Sequence, residues 1–359
     1  MGQKMPEGTA DSRHRPAELY AGLVHVVIRS GKHNLLDMII DDMVQQGVPR
    51  QLAFYESAMK QLAGQKQFRH ALRIYDRLAA DGLETTAVTC SCLVRFAAEV
   101  GDLQRATEFF TKLAALTTPS IRAYMTILGV HSKRQDWPAT IATVKEMRDK
   151  GVPVDSLALN VALSTGVAAD QAAAVEELLA EAEQIKPFMP DVVSYNTLAK
   201  VFAQRASSAD AVKVLERMLR HNVRPNAITF NTVMDAMVRA SRPEDAWKLL
   251  QEMRSCSYKP DRFTCSILVK GLSMGGAASE AAIARALALL EEAELCLDNN
   301  LRSSLYHAVA EAAVQAQNTM LLLKVTSQMR AHGVMTSPVL QKSMVQALRL
   351  AGLENLPLQ

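Results

Sequence analysis

The chain repeats itself. The segment VVSYNTLAKVFAQRASSADAVKVLERMLRHNVRPN from Val192 and the segment AITFNTVMDAMVRASRPEDAWKLLQEMRSCSYKPD from Ala227 align without a gap, at a period of 35 residues. Tyr195 matches Phe230, Asn196 matches Asn231, Ala211 matches Ala246, Leu215 matches Leu250, Met218 matches Met253 and Pro225 matches Pro260. A fixed period of this size belongs to stacked arrays, in which each repeat is one supersecondary unit that buries its apolar side only against its neighbours. The same step recovers weaker copies over 17–51, 52–86, 121–155 and 303–337. Copies at 87–120 and 156–191 need one deletion and one insertion, and 262–302 carries about six extra residues around Gly275 and Gly276. Residues 338–359 supply a half repeat and a tail, and 1–16 match no copy and are expected to be disordered.

Each repeat carries two helical patterns. In 192–226, Tyr195, Leu198, Ala199 and Phe202 fall on one face of a first helix running from about residue 194 to 205. A second helix follows Ser207 and Ser208, both suited to N-capping, with Ala211, Leu215 and Met218 on its buried stripe. Gly47, Gly82, Gly151, Asn222 and Gly333 stand where second helices end, and these residue types accept the left-handed cap conformation. Pro190, Pro225 and Pro260 then set an extended connection. The small Ala early in each second helix permits close helix approach, and the recurring Met is expected as adaptable core filler. An apolar content of 49% with 5% aromatic residues fits an all-α protein, and the pattern predicts a superhelical solenoid of helix-turn-helix repeats.

Other classes find little support. The longest apolar runs fall short of the ~18 residues that a membrane helix needs. Cys90, Cys92, Cys256, Cys265 and Cys296 show no metal or redox spacing, and their odd, unpatterned number suggests a reducing compartment. The eight histidines are dispersed, no acidic cluster sits at metal-ligand spacing, and Gly275–Gly276 lacks the Lys-Ser/Thr ending of a phosphate loop. No catalysis, metal or cofactor is therefore expected. The first sixteen residues resemble neither a secretory signal nor a transit peptide. A net charge of +3 gives only a weak bulk attraction to polyanions.

The strings SYNTL at 194–198 and TFNTV at 229–233, the Pro-Asp pairs at 190–191 and 260–261, and DAVKVLERM closely resemble the pentatricopeptide repeat consensus, in a P-type array. The Trp, Leu-Gly and Tyr pattern of tetratricopeptide repeats is absent; Trp137 and Trp247 stand singly. The resemblance implies a right-handed superhelix that binds single-stranded RNA at one nucleotide per repeat, along the surface of the first helices. It further implies that the fifth and last residues of a repeat select the base together. Carried over, the pairs are Met125 with Asp155, Asn160 with Asp191, Asn196 with Asn226, and Asn231 with Asp261, for a target of roughly U, U, C or U, U.

Asn231 is expected to face the groove outside the core. Val193 and Ile228 are implied to clasp bases between repeats, with core packing as the alternative. Lys133, Arg205 and Arg239, near the ends of first helices, are candidate phosphate contacts, against plain solvated cations. The outer pairs Ala21 with Gln51, Glu56 with Thr86, and His307 with Ser337 match no specifying pair; Ser91 with Ser120 is ambiguous, and the partner of Ser266 cannot be placed. The implied setting is organellar RNA metabolism in a mitochondrion or chloroplast, as a monomer, with other RNA-processing proteins as further partners. A protein-binding scaffold without RNA is the competing reading.

Overall fold

The computed structural model describes residues 14–185, 190–274 and 278–350, and among these it contains nineteen α-helices and no strand. The chain divides between Ala169 and Asp170 into two compact units, each a stack of helix hairpins. The N-terminal unit holds α1 (His14–Arg29), α2 (Leu35–Gln45), α3 (Leu52–Gly64), α4 (Phe68–Ala80), α5 (Ala87–Val100), α6 (Leu103–Leu116), α7 (Ile121–Arg134), α8 (Trp137–Asp149) and α9 (Ser156–Ala168). The C-terminal unit holds α10 (Ala172–Gln184), α11 (Val192–Gln204), α12 (Ser208–Arg220), α13 (Ala227–Arg239), α14 (Pro243–Ser255), α15 (Arg262–Lys270), α16 (Glu280–Glu292), α17 (Asn299–Gln315), α18 (Thr319–Ala331) and α19 (Pro338–Leu350).

Odd-numbered first helices lie side by side, α5 on α7 and α7 on α9 in one unit, and α11 on α13, α13 on α15 and α15 on α17 in the other. Close approach of the two helices of a hairpin is set by Ala71, Ala106, Ala211, Ala246 and Ala286, all without exposed surface. The recurring methionines Met43, Met147, Met218, Met253 and Met329 are core residues, at most 1% exposed. Each contributes ~1.5–3 kcal/mol of apolar burial.

Tyrosine at the fourth position anchors the layers through its hydroxyl. Tyr124 donates to Glu146 at 2.9 Å, and Tyr55 donates to Asp81, which Arg50 also holds through Nε and Nη2, each at 2.8 Å. In the C-terminal unit Tyr195 donates to Glu183 at 2.8 Å, and Arg217 pairs with the same carboxylate at 3.1 Å. A buried ring with a satisfied hydroxyl combines core packing with a directional tie. Burial pushes the Tyr55 hydroxyl up to about 12, and its bond to Asp81 adds to the shift.

The stop positions behave as their residue types require. Gly47, Gly82, Gly151, Asn222 and Gly333 all have left-handed backbone, with φ between 57° and 69°. In the repeat 227–261 the same role falls to Ser257, at φ 66°. The amides that follow, such as Val152 and Val223, return to the Met147 and Met218 carbonyls at 2.8 Å and close the helix ends.

Three local readings change. Helix α1 begins at His14, inside the segment 1–16 expected to be disordered; Pro16 lies in the first turn, where a missing amide costs no intrahelical bond, and residues 1–13 lie outside the described residues. Ser207 occupies the N-cap of α12 but does not cap it with its side chain, and its hydroxyl donates instead to Asp210 at 2.6 Å. The boundary at 302/303 falls inside α17, a 17-residue helix capped by Asp298 through the Leu301 amide at 2.8 Å. The extra residues around Gly275 and Gly276 fall on 275–277, outside the described residues.

Candidate nucleic-acid interface

The last residue of a repeat is the N-cap of the next first helix. Asp155 accepts the Ala158 amide at 2.8 Å, Asn226 the Thr229 amide at 3.0 Å, and Asp261 the amides of Phe263 and Thr264 at 2.9 Å each. Asp191 accepts from Val193 and Ser194 at 2.9 and 3.0 Å. At Asp191, Asn226 and Asp261 the box is reciprocal, since the hydroxyl of Ser194, Thr229 or Thr264 accepts the cap residue's own amide. Helix termini leave such amides without intrahelical partners, so a short polar side chain is demanded there by the fold alone.

The fifth residue reaches across to that cap. Asn231 Nδ2 donates to Asp261 Oδ1 at 3.1 Å, and Asn231 Oδ1 accepts from the Thr264 hydroxyl at 2.7 Å. Asn196 repeats the arrangement, with Nδ2 at 3.4 Å from Asn226 Oδ1 and Oδ1 accepting from the Thr229 hydroxyl at 2.6 Å. Asn231 is only 7% exposed, which corrects its expected place in the open groove. Its amide is part of the seam between two repeats, because a buried polar side chain must be hydrogen-bonded.

Outside the implied reader pairs the seam persists in altered form. Glu56 accepts from the hydroxyls of Thr86 and Thr89, and His307 Nε2 accepts the Ser337 amide at 3.2 Å. Met125 is half-buried and has no amide to offer Asp155. Asn160 lies half-buried on α9 in the N-terminal unit, and Asp191 caps α11 in the C-terminal unit, so each is described with its own unit. The hydroxyl of Ser266 bonds back to the Arg262 carbonyl at 2.8 Å.

Val193 and Ile228 are 50% and 62% exposed, which removes core packing as their explanation. Val88, Leu157, Phe263 and Val339 hold the same second position in their repeats and are also exposed. The sequence reading missed these four, although the period places an apolar residue second in each of those repeats. The candidate cations lie at the other ends of first helices. Lys133 is exposed in the last turn of α7; Arg239 pairs with Asp235 at 2.6 Å on α13; and Arg205, just past α11, pairs with Asp170 at 3.4 Å. Exposed pairs of this kind contribute ~0–1 kcal/mol and exchange readily for another anion. Among the described residues no group of three or more His, Cys, Asp or Glu is placed to hold a metal ion, and no helix is long and apolar enough to cross a membrane.

The chain belongs to the pentatricopeptide repeat family. The family model described as PPR repeat family matches residues 190–239 and 225–274, and the one described as Pentacotripeptide-repeat region of PRORP matches 41–186. Among curated proteins the chain is similar to the small ribosomal subunit protein mL103 (rPPR7) of Arabidopsis thaliana, 23% identical over 219 residues, which are 60% of this chain and 52% of that protein. The chain thus spans about half the length of that relative. Among solved structures it is similar to the pentatricopeptide repeat protein PPR10 from maize, with 18% identity, 94% of this chain and 57% of that chain covered, and a TM-score of 0.48. The same protein in complex with an 18-nt psaJ RNA element matches at 18% identity, with 92% and 58% covered and a TM-score of 0.42.

Proposed function

We propose that the chain binds single-stranded RNA along its first helices, one nucleotide per repeat, with a pyrimidine preference in the repeats that carry Asn196 and Asn231. The observation that carries this reading is the partial use of the two reader amides. An Asn side chain has two N–H donors and two acceptor lone pairs. At Asn231 the seam takes one donor and one lone pair, through Asp261 and Thr264. One donor and one acceptor remain, which suits the edge of a base. Asp261 Oδ2, an acceptor only, then favours a base that offers a ring N–H, as uracil does. At Asn196 the partner is Asn226, whose oxygen caps the Thr229 amide and whose NH2 remains as a donor, which suits the carbonyl or ring-nitrogen acceptors of uracil or cytosine.

The exposed apolar residues at the second position, Val193, Ile228 and Phe263, supply flat contacts for the faces of successive bases. Lys133, Arg205 and Arg239 are proposed for phosphates, and binding is expected without catalysis. Two bases read at ~1–3 kcal/mol each do not by themselves give tight binding, so backbone contacts are required. Action as a monomer in organellar RNA metabolism, in a mitochondrion or chloroplast, is part of the same proposal and rests on family membership. The competing reading, a scaffold for other proteins, gains from Ala21, Glu56 and Met125, which leave three of the five repeats that begin in the N-terminal unit without an amide or hydroxyl at the fifth position.

Selection of bound sequences from a random single-stranded RNA pool by the purified chain tests the proposal. Enrichment of pyrimidines over a short window, lost on replacing Asn196 and Asn231 together by Ala, is the expected result. No RNA retention by the parent chain, or retention of duplex and single strand alike, contradicts it.

A further inference from the structure

We infer that Thr229 and Thr264 are specificity-determining positioning residues: each sits in the repeat after a reader Asn and fixes which way that amide faces. This inference rests on the base-reading proposal. Thr264 has no exposed surface, and its hydroxyl accepts the Asp261 amide at 3.2 Å. Its single proton is therefore directed outward, and its shortest acceptor is Asn231 Oδ1 at 2.7 Å, against 3.0 Å for Asp261 Oδ1. Turning the Asn231 amide over would set its oxygen against the Asp261 carboxylate and would take from the Thr264 hydroxyl its shortest acceptor, leaving it the 3.0 Å contact to Asp261 Oδ1. The two unused functions of the amide are thus held in one order only. A base edge has polarity, so the order decides which base fits.

The two sites differ in how strongly the order is held. At Asn231 the Asp261 carboxylate, which can only accept, enforces the same orientation as Thr264. At Asn196 the partner is the neutral Asn226 amide, whose oxygen is held as an acceptor by its cap on the Thr229 amide, but the Asn196 Nδ2 contact to it is long, 3.4 Å. The Thr229 hydroxyl, at 2.6 Å from Asn196 Oδ1, is the principal constraint there. Removing Thr229 should relax selectivity more than removing Thr264. The recurrence of the motif at Glu56, gripped by Thr86 and Thr89, shows that a third-position threonine meets the fifth-position side chain as a feature of this seam.

The test uses the full chain and single-stranded RNAs that carry each of the four bases in turn at the position where Asn196→Ala abolishes preference. For Thr229→Val, the expected result is that a preference of about tenfold at that position falls to about threefold or less, with neighbouring positions unchanged. Thr229→Ser should restore it. Thr264→Val should reduce preference at the Asn231 position by a smaller factor, because Asp261 remains; it also serves as the second variant if Thr229→Val folds poorly by circular dichroism. Unchanged selectivity in folded Thr229→Val, or an equal loss of affinity for all four bases, overturns the inference while leaving base reading intact. A parent chain with no preference that Asn196→Ala removes overturns base reading itself, and the inference with it.

Discussion

The two units are built from the same hairpin yet place different chemistry at the seam between repeats. In two repeats of the C-terminal unit, 192–226 and 227–261, the fifth residue is Asn196 or Asn231, and its amide ties into a capping box while keeping half of its hydrogen-bonding capacity unused. In the first four repeats of the N-terminal unit the same position holds Ala21, Glu56, Ser91 or Met125, and only Asn160 on α9 carries an amide there; caps form without one, as Thr86 to the Thr89 amide at 3.2 Å and Ser120 to the Ala123 amide at 3.4 Å show. The cap is therefore what the fold requires, and the amide above it is an addition. Asp261 both caps α15 and holds the Asn231 amide, whereas Thr86 caps α5 and meets a carboxylate, Glu56, at the fifth position.

The tyrosine anchors sharpen the contrast, and the largest stability effect is expected there. In the C-terminal unit the Glu183 side chain, 8% exposed, holds both Tyr195 and Arg217 across a hairpin boundary. Glu183→Ala leaves a largely buried guanidinium with only its 3.7 Å pairing to Glu176 and takes the acceptor from a buried hydroxyl, and should cost ~3 kcal/mol in urea unfolding. In the N-terminal unit the corresponding carboxylate, Asp81, comes from the repeat's own second helix, and the arginine reaches it from the repeat before. Hydrogen bonds from Arg50, then from Tyr55, hold the Asp81 carboxyl below its ordinary value. Its stabilisation is fully present above the unfolded carboxyl's range, about pH 4, and is lost as pH falls through the depressed folded value. Asp81→Asn should cost ~1–2 kcal/mol at pH 7, with the gap to the parent closing in melts below about pH 4. A gap independent of pH would mean that Asp81 acts through shape alone.

A smaller effect separates the stop positions. The N-terminal unit ends its second helices with Gly47, Gly82 and Gly151, whereas the C-terminal unit uses Asn222 and Ser257 at two of the same sites. A serine in left-handed backbone carries a penalty that glycine lacks. Ser257→Gly should raise stability by ~0.5–1 kcal/mol, and Gly82→Ala should lower it by about as much. If thermal melts show no gain for Ser257→Gly, the chain around it holds that conformation without strain.

Most of the fold was legible because the period fixes everything that repeats. The Met column, the Ala column and the glycine stops each follow from residues that recur at one offset, and the hairpin geometry follows from them. What breaks the period was harder to read. Helix α17 runs about one turn longer than α11 and α13 because Asp298 offers an earlier cap, and the 35-residue step, which sets the boundary at 302/303, passes over that signal. The site was half legible. Recurrence marks Asn196 and Asn231, but a recurring polar residue looks the same whether it caps, ties or reads. That Asn231 is buried, and that Thr264 grips its oxygen, depends on which repeat lies beside it, a contact 33 residues away in sequence. Phe263 was missed for a related reason, since an aromatic residue beside Arg262 reads as core until the helix face it occupies is known.

The central claim is that Asn231 and Asp261 together read one base, and competition binding of the parent and Asn231→Thr to single-stranded RNAs that differ at one position tests it most directly. By the family pattern, Thr with Asp is a guanine pair, so the preferred base at that position should move from uracil to guanine, with discrimination of ~1–3 kcal/mol and neighbours unaffected. Because Asn231 is buried and bonded to Asp261 and Thr264, the substitution should also lower stability by ~1–2 kcal/mol, measured in parallel. A shift confined to that one base is the predicted result. An equal loss of affinity for all four bases, in a chain that remains folded, would contradict the claim and leave Asn231 as a seam residue only.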